Sequence, residues 1–142
     1  MKPTLIKQMD GDKFDVSNYV KHDYVCLAPA VHSMILEDIN KYSRGKHLIS
    51  LGCADGAFER KVDCAGFTGV DPFSESEGIL KRDGLEYLKE QEDNSVDVVM
   101  AKMSVHFLDL EDVKRTLQQK FKRGGTALFY NICAGKSKVF GN

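Results

Sequence analysis

At 142 residues, with 20 Lys and Arg against 21 Asp and Glu, the chain has room for one core, and its formal charge of -1 supplies no field to draw it onto nucleic acid or an anionic membrane. Cys26, Cys53, Cys64 and Cys133 form no CxxC or His-rich pattern, so no structural zinc or other metal site is expected. With no secretory leader and no apolar run of membrane length, the expectation is a cytoplasmic protein with reduced thiols and no membrane contact.

Residues 1–27 mix charge with scattered aromatics and show no sustained period, which reads as an N-terminal arm. Pro29 then opens a predicted amphipathic helix over 29–43, with Val31, Met34, Ile35, Ile39 and Tyr42 at helical spacing and Gly45 past its end. His32 in this helix is expected at the surface or its boundary. Beyond it, short apolar runs alternate with helical segments: LISL at 48–51, FTGV at 67–70, ILKR at 79–82, VDVVMA at 96–101 and TALFYNI at 126–132. Such alternation predicts a mostly parallel sheet flanked by helices. The clearest intervening helix is DLEDVKRTLQQKFK. Asp109 sits at its N-cap, Leu110, Val113, Leu117 and Phe121 form one face, Lys114, Arg115, Gln118 and Lys122 point outward, and Gly124 and Gly125 stop it.

A ligand of an open parallel sheet sits beyond the carboxyl ends of the strands, where strand order reverses. The residues there are Gly52, Cys53, Ala54, Asp55 and Gly56 after the first run, Asp71, Pro72 and Phe73 after the second, Asp83 and Gly84 after the third, and Lys102, Met103, Ser104 and His106 after the fourth. Three of the four ends carry an aspartate, and these are expected to converge on one crevice.

The ordered set LGCADG, GVDPF, RDGLEYL and VDVVMAKMSVHFLDLEDV resembles the class I S-adenosylmethionine-dependent methyltransferase family over roughly residues 47–133. The resemblance implies an α/β, Rossmann-like, doubly wound sheet of order 3-2-1-4-5 with helices on both faces, in a single domain of arm or lid (1–27), cofactor-binding core (28–133) and tail (134–142). It further implies S-adenosylmethionine as cofactor and S-adenosylhomocysteine as product. By resemblance, Gly52 to Gly56 would pass under the methionine part, Asp71 would take both ribose hydroxyls, and Pro72 and Phe73 would lie against the adenine. Asp83 and the Gly84 N–H would meet the adenine edge, and Lys102 and Met103 would flank the sulfonium.

Residue chemistry agrees with that reading. One carboxylate can accept from both hydroxyls of a diol. A dinucleotide fingerprint, G-x-G-x-x-G, is answered here by Gly52, Ala54 and Ala57, so a nicotinamide cofactor is the poorer fit. Two positions depart from the family pattern. Ser50 stands where an acidic residue is frequent, which lowers the expected cofactor affinity, and Ala54 stands at the middle glycine, where it is expected to avoid positive φ. After TALFYNI only CAGKSKVFGN follows, so the family's final strand pair is expected to be missing. Strand 126–132 would then be an apolar edge, covered by the tail or the arm, or paired with a second subunit in a homodimer or other partnership.

Methyl transfer requires alignment of a nucleophile and exclusion of water, with a base only where the nucleophile must lose a proton. His106 is the candidate base, and Tyr19, Tyr24, Ser104, His106 and Tyr130 are candidate substrate contacts, against the plainer alternatives of a structural histidine and ordinary packing of the arm. Cys53 reads as a small apolar filler rather than a redox thiol. The cations Lys114, Arg115, Lys120, Lys122 and Arg123 read as a solvated helix face rather than an RNA contact. The expected activity is methyl transfer to an O, N or C nucleophile of a small molecule. The alternatives are a non-catalytic methyltransferase-like binding or partner subunit and a nucleic-acid methyltransferase.

Overall fold

A computed structural model describes residues 4–5, 8–9, 29–102, 109–130 and 137–138, with side chains for 32–102, 109 and 111–130. In chain order the elements are β1 (Thr4–Leu5), β2 (Gln8–Met9), α1 (Pro29–Ser43), β3 (His47–Leu51), β4 (Gly66–Val70), β5 (Ile79–Leu80), α2 (Gly84–Lys89), β6 (Val96–Lys102), α3 (Leu110–Lys120), β7 (Phe121–Tyr130) and β8 (Ser137–Lys138). Six strands form one sheet in the order β1-β7-β6-β3-β4-β5, and every neighbouring pair is parallel. The five strands from β3 to β7 therefore follow the expected 3-2-1-4-5 order, with β1 added beyond β7, and the architecture is Rossmann-like α/β. Its order reverses between β3 and β6.

Strand pleat explains how both faces are covered, because successive side chains point to opposite sides. Leu48, Val98, Met100, Leu128 and Tyr130 pack with Ile35 and Ile39 of α1 on one face. Ile49, Leu51, Val99, Ala101, Ala127 and Phe129 pack with Leu88 of α2 and Val113 and Leu117 of α3 on the other. Each large aliphatic side chain so buried contributes about 1.5–3 kcal/mol. In α1 the stripe is narrower than expected: Ile35 and Ile39 are buried, whereas Met34 is 57% exposed.

The second predicted helix ends earlier than its glycines suggest. Asp109 caps α3 by accepting from the Asp112 N–H at 3.2 Å, as expected, but Phe121 is already extended and pairs with Val96 of β6. Gly124 and Gly125 lie inside β7, where the register slips: Val96 pairs with Phe121, but Val98 pairs with Thr126. Gly124 adopts φ +83 in this bulge, and a side chain on Gly125 would collide with the Phe121 ring. Pairing with a buried strand overrides helix propensity here. In the opposite sense, the third strand is shorter than expected, Ile79–Leu80 in place of 79–82.

The apolar edge formed by β7 is covered by the arm, one of the three expected arrangements. Thr4 and Leu5 of β1 pair parallel with Thr126 and Ala127, and β2 pairs antiparallel with β8. Among the described residues no helix is long and apolar enough to cross a membrane.

Candidate functional site

The turn after β3 lies at the reversal of strand order, and its backbone is left-handed at three positions: Gly52 (φ +71), Ala54 (φ +52) and Gly56 (φ +78). The expectation that Ala54 avoids positive φ is therefore corrected. An L-residue there costs about 1 kcal/mol, and the structure shows what holds it: the Ala54 N–H donates to Asp71 Oδ2 at 2.8 Å. The other oxygen, Asp71 Oδ1, accepts from the Phe73 N–H at 2.8 Å, and the residue is 2% exposed. Asp71 thus clasps the glycine turn to the end of β4, and each of its oxygens retains further acceptor capacity.

Close packing fixes the same turn from below. Cys53 is buried, and a methyl group built on Gly69 would lie 2.6 Å from its sulfur and 2.7 Å from Ile79 Cδ1. Burial pushes the Cys53 thiol far above its usual range, with Glu59 and Asp71 adding to the shift. A thiol held protonated is a poor nucleophile, which matches the expected filler.

No α-helix follows the turn directly. A single 3-10 turn, Glu59–Lys61, stands where the sequence suggests a helix. Its first residue, Glu59, is 1% exposed and accepts a hydrogen bond from Ser50 Oγ at 2.6 Å. Ser50, the apparent departure in the first strand, is thus the anchor of a buried carboxylate directly behind the turn. Sequence reasoning missed Glu59. The signal was a lone hydroxyl within the apolar run LISL, which once buried requires a partner. Lys102, 2% exposed at the end of β6, holds its ammonium 4.7 Å from the centre of the ring of Phe58, the residue before Glu59. On that ring His32 stacks, with centroids 4.8 Å apart. Burial, then Lys102 and Lys61, hold the His32 pKa below its ordinary value.

The remaining predicted residues divide clearly. Asp55 Oδ1 accepts from the Ala57 N–H at 2.9 Å within the turn. Asp83 is exposed and caps α2, one of its carboxylate oxygens, Oδ1, accepting from the Glu86 N–H at 3.0 Å. Gly84 is buried where α2 closes on β3, with Leu51 Cδ2 3.1 Å from where its side chain would begin. Pro72 and Phe73 are exposed, Phe73 by 43%. Tyr130 is fully buried and donates its hydroxyl to Asp38 Oδ2 at 2.6 Å, tying β7 to α1. Burial and that hydrogen bond raise the Tyr130 pKa, and with 0% of its surface exposed the side chain is part of the packing. Tyr19, Tyr24, Met103, Ser104 and His106 lie outside the described residues.

Of the basic run, Lys114 and Lys120 of α3 pair with Glu111 at 3.5 Å and Asp93 at 3.0 Å, whereas Lys122 and Arg123 lie in β7 rather than on the helix, Lys122 pairing with Asp97 at 3.3 Å. Among the described residues no group of three or more His, Cys, Asp and Glu could hold a metal ion. Compared with models of known families, with curated proteins and with solved structures, the chain matches none.

Proposed function

We propose that the chain is a cytoplasmic S-adenosylmethionine-dependent methyltransferase that acts on an O, N or C nucleophile of a small molecule. The observation that carries the reading is the carboxylate-walled glycine turn at the reversal of strand order. A pyrophosphate at this turn would meet the carboxylate of Asp71, which already holds the Ala54 and Phe73 N–H groups, with only a 3-10 turn in place of a helix N-terminus. A ligand with a diol and a positive charge meets acceptors instead. These acceptors therefore fit a sulfonium nucleoside better than a dinucleotide.

In this reading the free acceptor positions of Asp71 take the ribose diol, and the exposed Phe73 ring and Pro72 offer a face to the adenine. Asp83 and Gly84 meet the adenine edge, residues 52 to 56 pass under the amino-acid portion, and Lys102 and Met103 flank the sulfur. S-adenosylmethionine supplies, when bound, a methyl group already activated for displacement. The chain's own part is alignment and exclusion of water. With the Tyr130 hydroxyl spent on Asp38, the acceptor side of the proposal falls to Tyr19, Tyr24, Ser104 and His106, the last as base where the acceptor must lose a proton.

A second reading, a methyltransferase-like binding or partner subunit without catalysis, is favoured by one observation. Both Asp71 oxygens already accept from backbone N–H groups. Isothermal titration with S-adenosylmethionine and S-adenosylhomocysteine tests both readings. Binding that Asp71→Ala abolishes supports the cofactor assignment. No binding of either at millimolar concentration defeats it, and binding without turnover over a panel of acceptors favours the second reading.

A further inference from the structure

Leu88 of α2 and Val113 and Leu117 of α3 share one apolar layer on the sheet. Beside that layer the two helices leave an open cleft of about 290 Å³, lined by Lys89 at the end of α2 and by Asp112, Arg115, Thr116, Gln119 and Lys120 of α3. The α3 residues recur at intervals of three and four, which places them on one side of that helix. None of the six belongs to the crevice at the glycine turn. Lys89 Nζ pairs with Asp112 Oδ2 at 3.1 Å, and Lys120 Nζ pairs at 3.0 Å with Asp93 Oδ1, which lies outside the lining. Arg115 is exposed and has no ion pair among the described residues, so after the two pairs are counted its guanidinium is the cation in excess. That group stays charged throughout the physiological range, and Thr116 and Gln119 add side chains that can donate.

We propose that the cleft between α2 and α3 binds the phosphate group of a small ligand, with Arg115 as its principal contact and Lys89 and Lys120 as supporting cations. A guanidinium fork matches two phosphate oxygens at once. A phosphate carries a third terminal oxygen, so it can be met by cations from both helices, whereas a carboxylate offers two oxygens in one plane. The lysines are available because ion pairs at the surface hold their partners weakly. Shape and charge favour a small ligand over a nucleic-acid backbone: the cleft is local and concave, and Asp93 and Asp112 interrupt any continuous basic face. The site stands apart from the cofactor reading, and neither depends on the other.

The test titrates inorganic phosphate, glycerol phosphate, chloride and a single-stranded oligonucleotide into the full chain at fixed ionic strength, read by the amide NMR shifts of Lys89 and of residues 112–120. Both phosphates should give saturable shifts at millimolar concentration, and chloride should give none. Tighter binding of glycerol phosphate assigns the site to a phosphate ester, and equal binding assigns it to free phosphate. Arg115→Gln should weaken binding on the order of tenfold through loss of one bidentate charged contact. Asp112→Asn, which removes the carboxylate from the lining, should strengthen it. Arg123→Gln removes an exposed cation outside the cleft and should leave the affinity unchanged, which separates a site from diffuse charge. The inference is overturned by the absence of saturable shifts with either phosphate, by equal losses in Arg115→Gln and Arg123→Gln, or by an oligonucleotide that displaces phosphate from these residues. If Asp112→Asn fails to melt cooperatively, the contrast between the two arginine variants still decides.

Discussion

Asp71→Asn changes one oxygen of a buried carboxylate into an NH2 group with almost no change of shape. In the wild type Oδ2 accepts from Ala54 and Oδ1 from Phe73, each at 2.8 Å. An amide has only one acceptor oxygen, so one of the two N–H groups must face a donor. A hydrogen bond to a charged acceptor contributes about 1.5–3 kcal/mol, and a buried donor left without a partner costs a comparable amount. The amide should rotate to keep its oxygen on Ala54, because that bond holds a left-handed residue in the turn, whereas Phe73 is exposed and can recruit water. The net expectation is a loss of about 2–3 kcal/mol by urea denaturation, with amide exchange at Phe73 accelerated more than at Ala54. A loss under about 0.5 kcal/mol with both amides as protected as in wild type would refute the clasp.

Gly69→Ala should cost about 1–3 kcal/mol, since its methyl group meets Cys53 Sγ and Ile79 Cδ1. In a Cys53→Ala background the cost should shrink, and a strictly additive double-mutant cycle in thermal denaturation would argue against that contact. Tyr130→Phe removes the donor to Asp38 and should destabilise by about 1–2 kcal/mol, with faster amide exchange in α1; unchanged stability would mean that the hydrogen bond adds nothing. His32 has a folded pKa below its unfolded value of 6.5, so its contribution to stability is present above pH 6.5 and is lost as pH falls below it. Between about pH 7.5 and pH 5.5 the wild type should therefore lose more stability than His32→Gln, and parallel urea midpoints for the two would contradict the shift.

Sequence alone determined the elements whose signals are local. The helix over 29–43 follows from Pro29, a stripe of apolar residues and Gly45, each read within a few turns of chain. The strands from β3 to β7 and the glycine turn after β3 likewise follow from apolar runs and punctuation, whereas their order was what the family resemblance implied. Tertiary structure decided whatever depends on a partner distant in the chain. Phe121 became strand rather than helix because Val96 pairs with it. Ala54 entered the left-handed region because a carboxylate 17 residues away accepts its N–H. Ser50 gained its meaning from Glu59, and Tyr130 from Asp38, 92 residues apart. A periodic pattern states which face of an element is apolar, but the cost of burying a polar group is settled only by what lies opposite it. That is why the frame of the site was legible in the sequence, and why the charges that give it character emerged only from the fold.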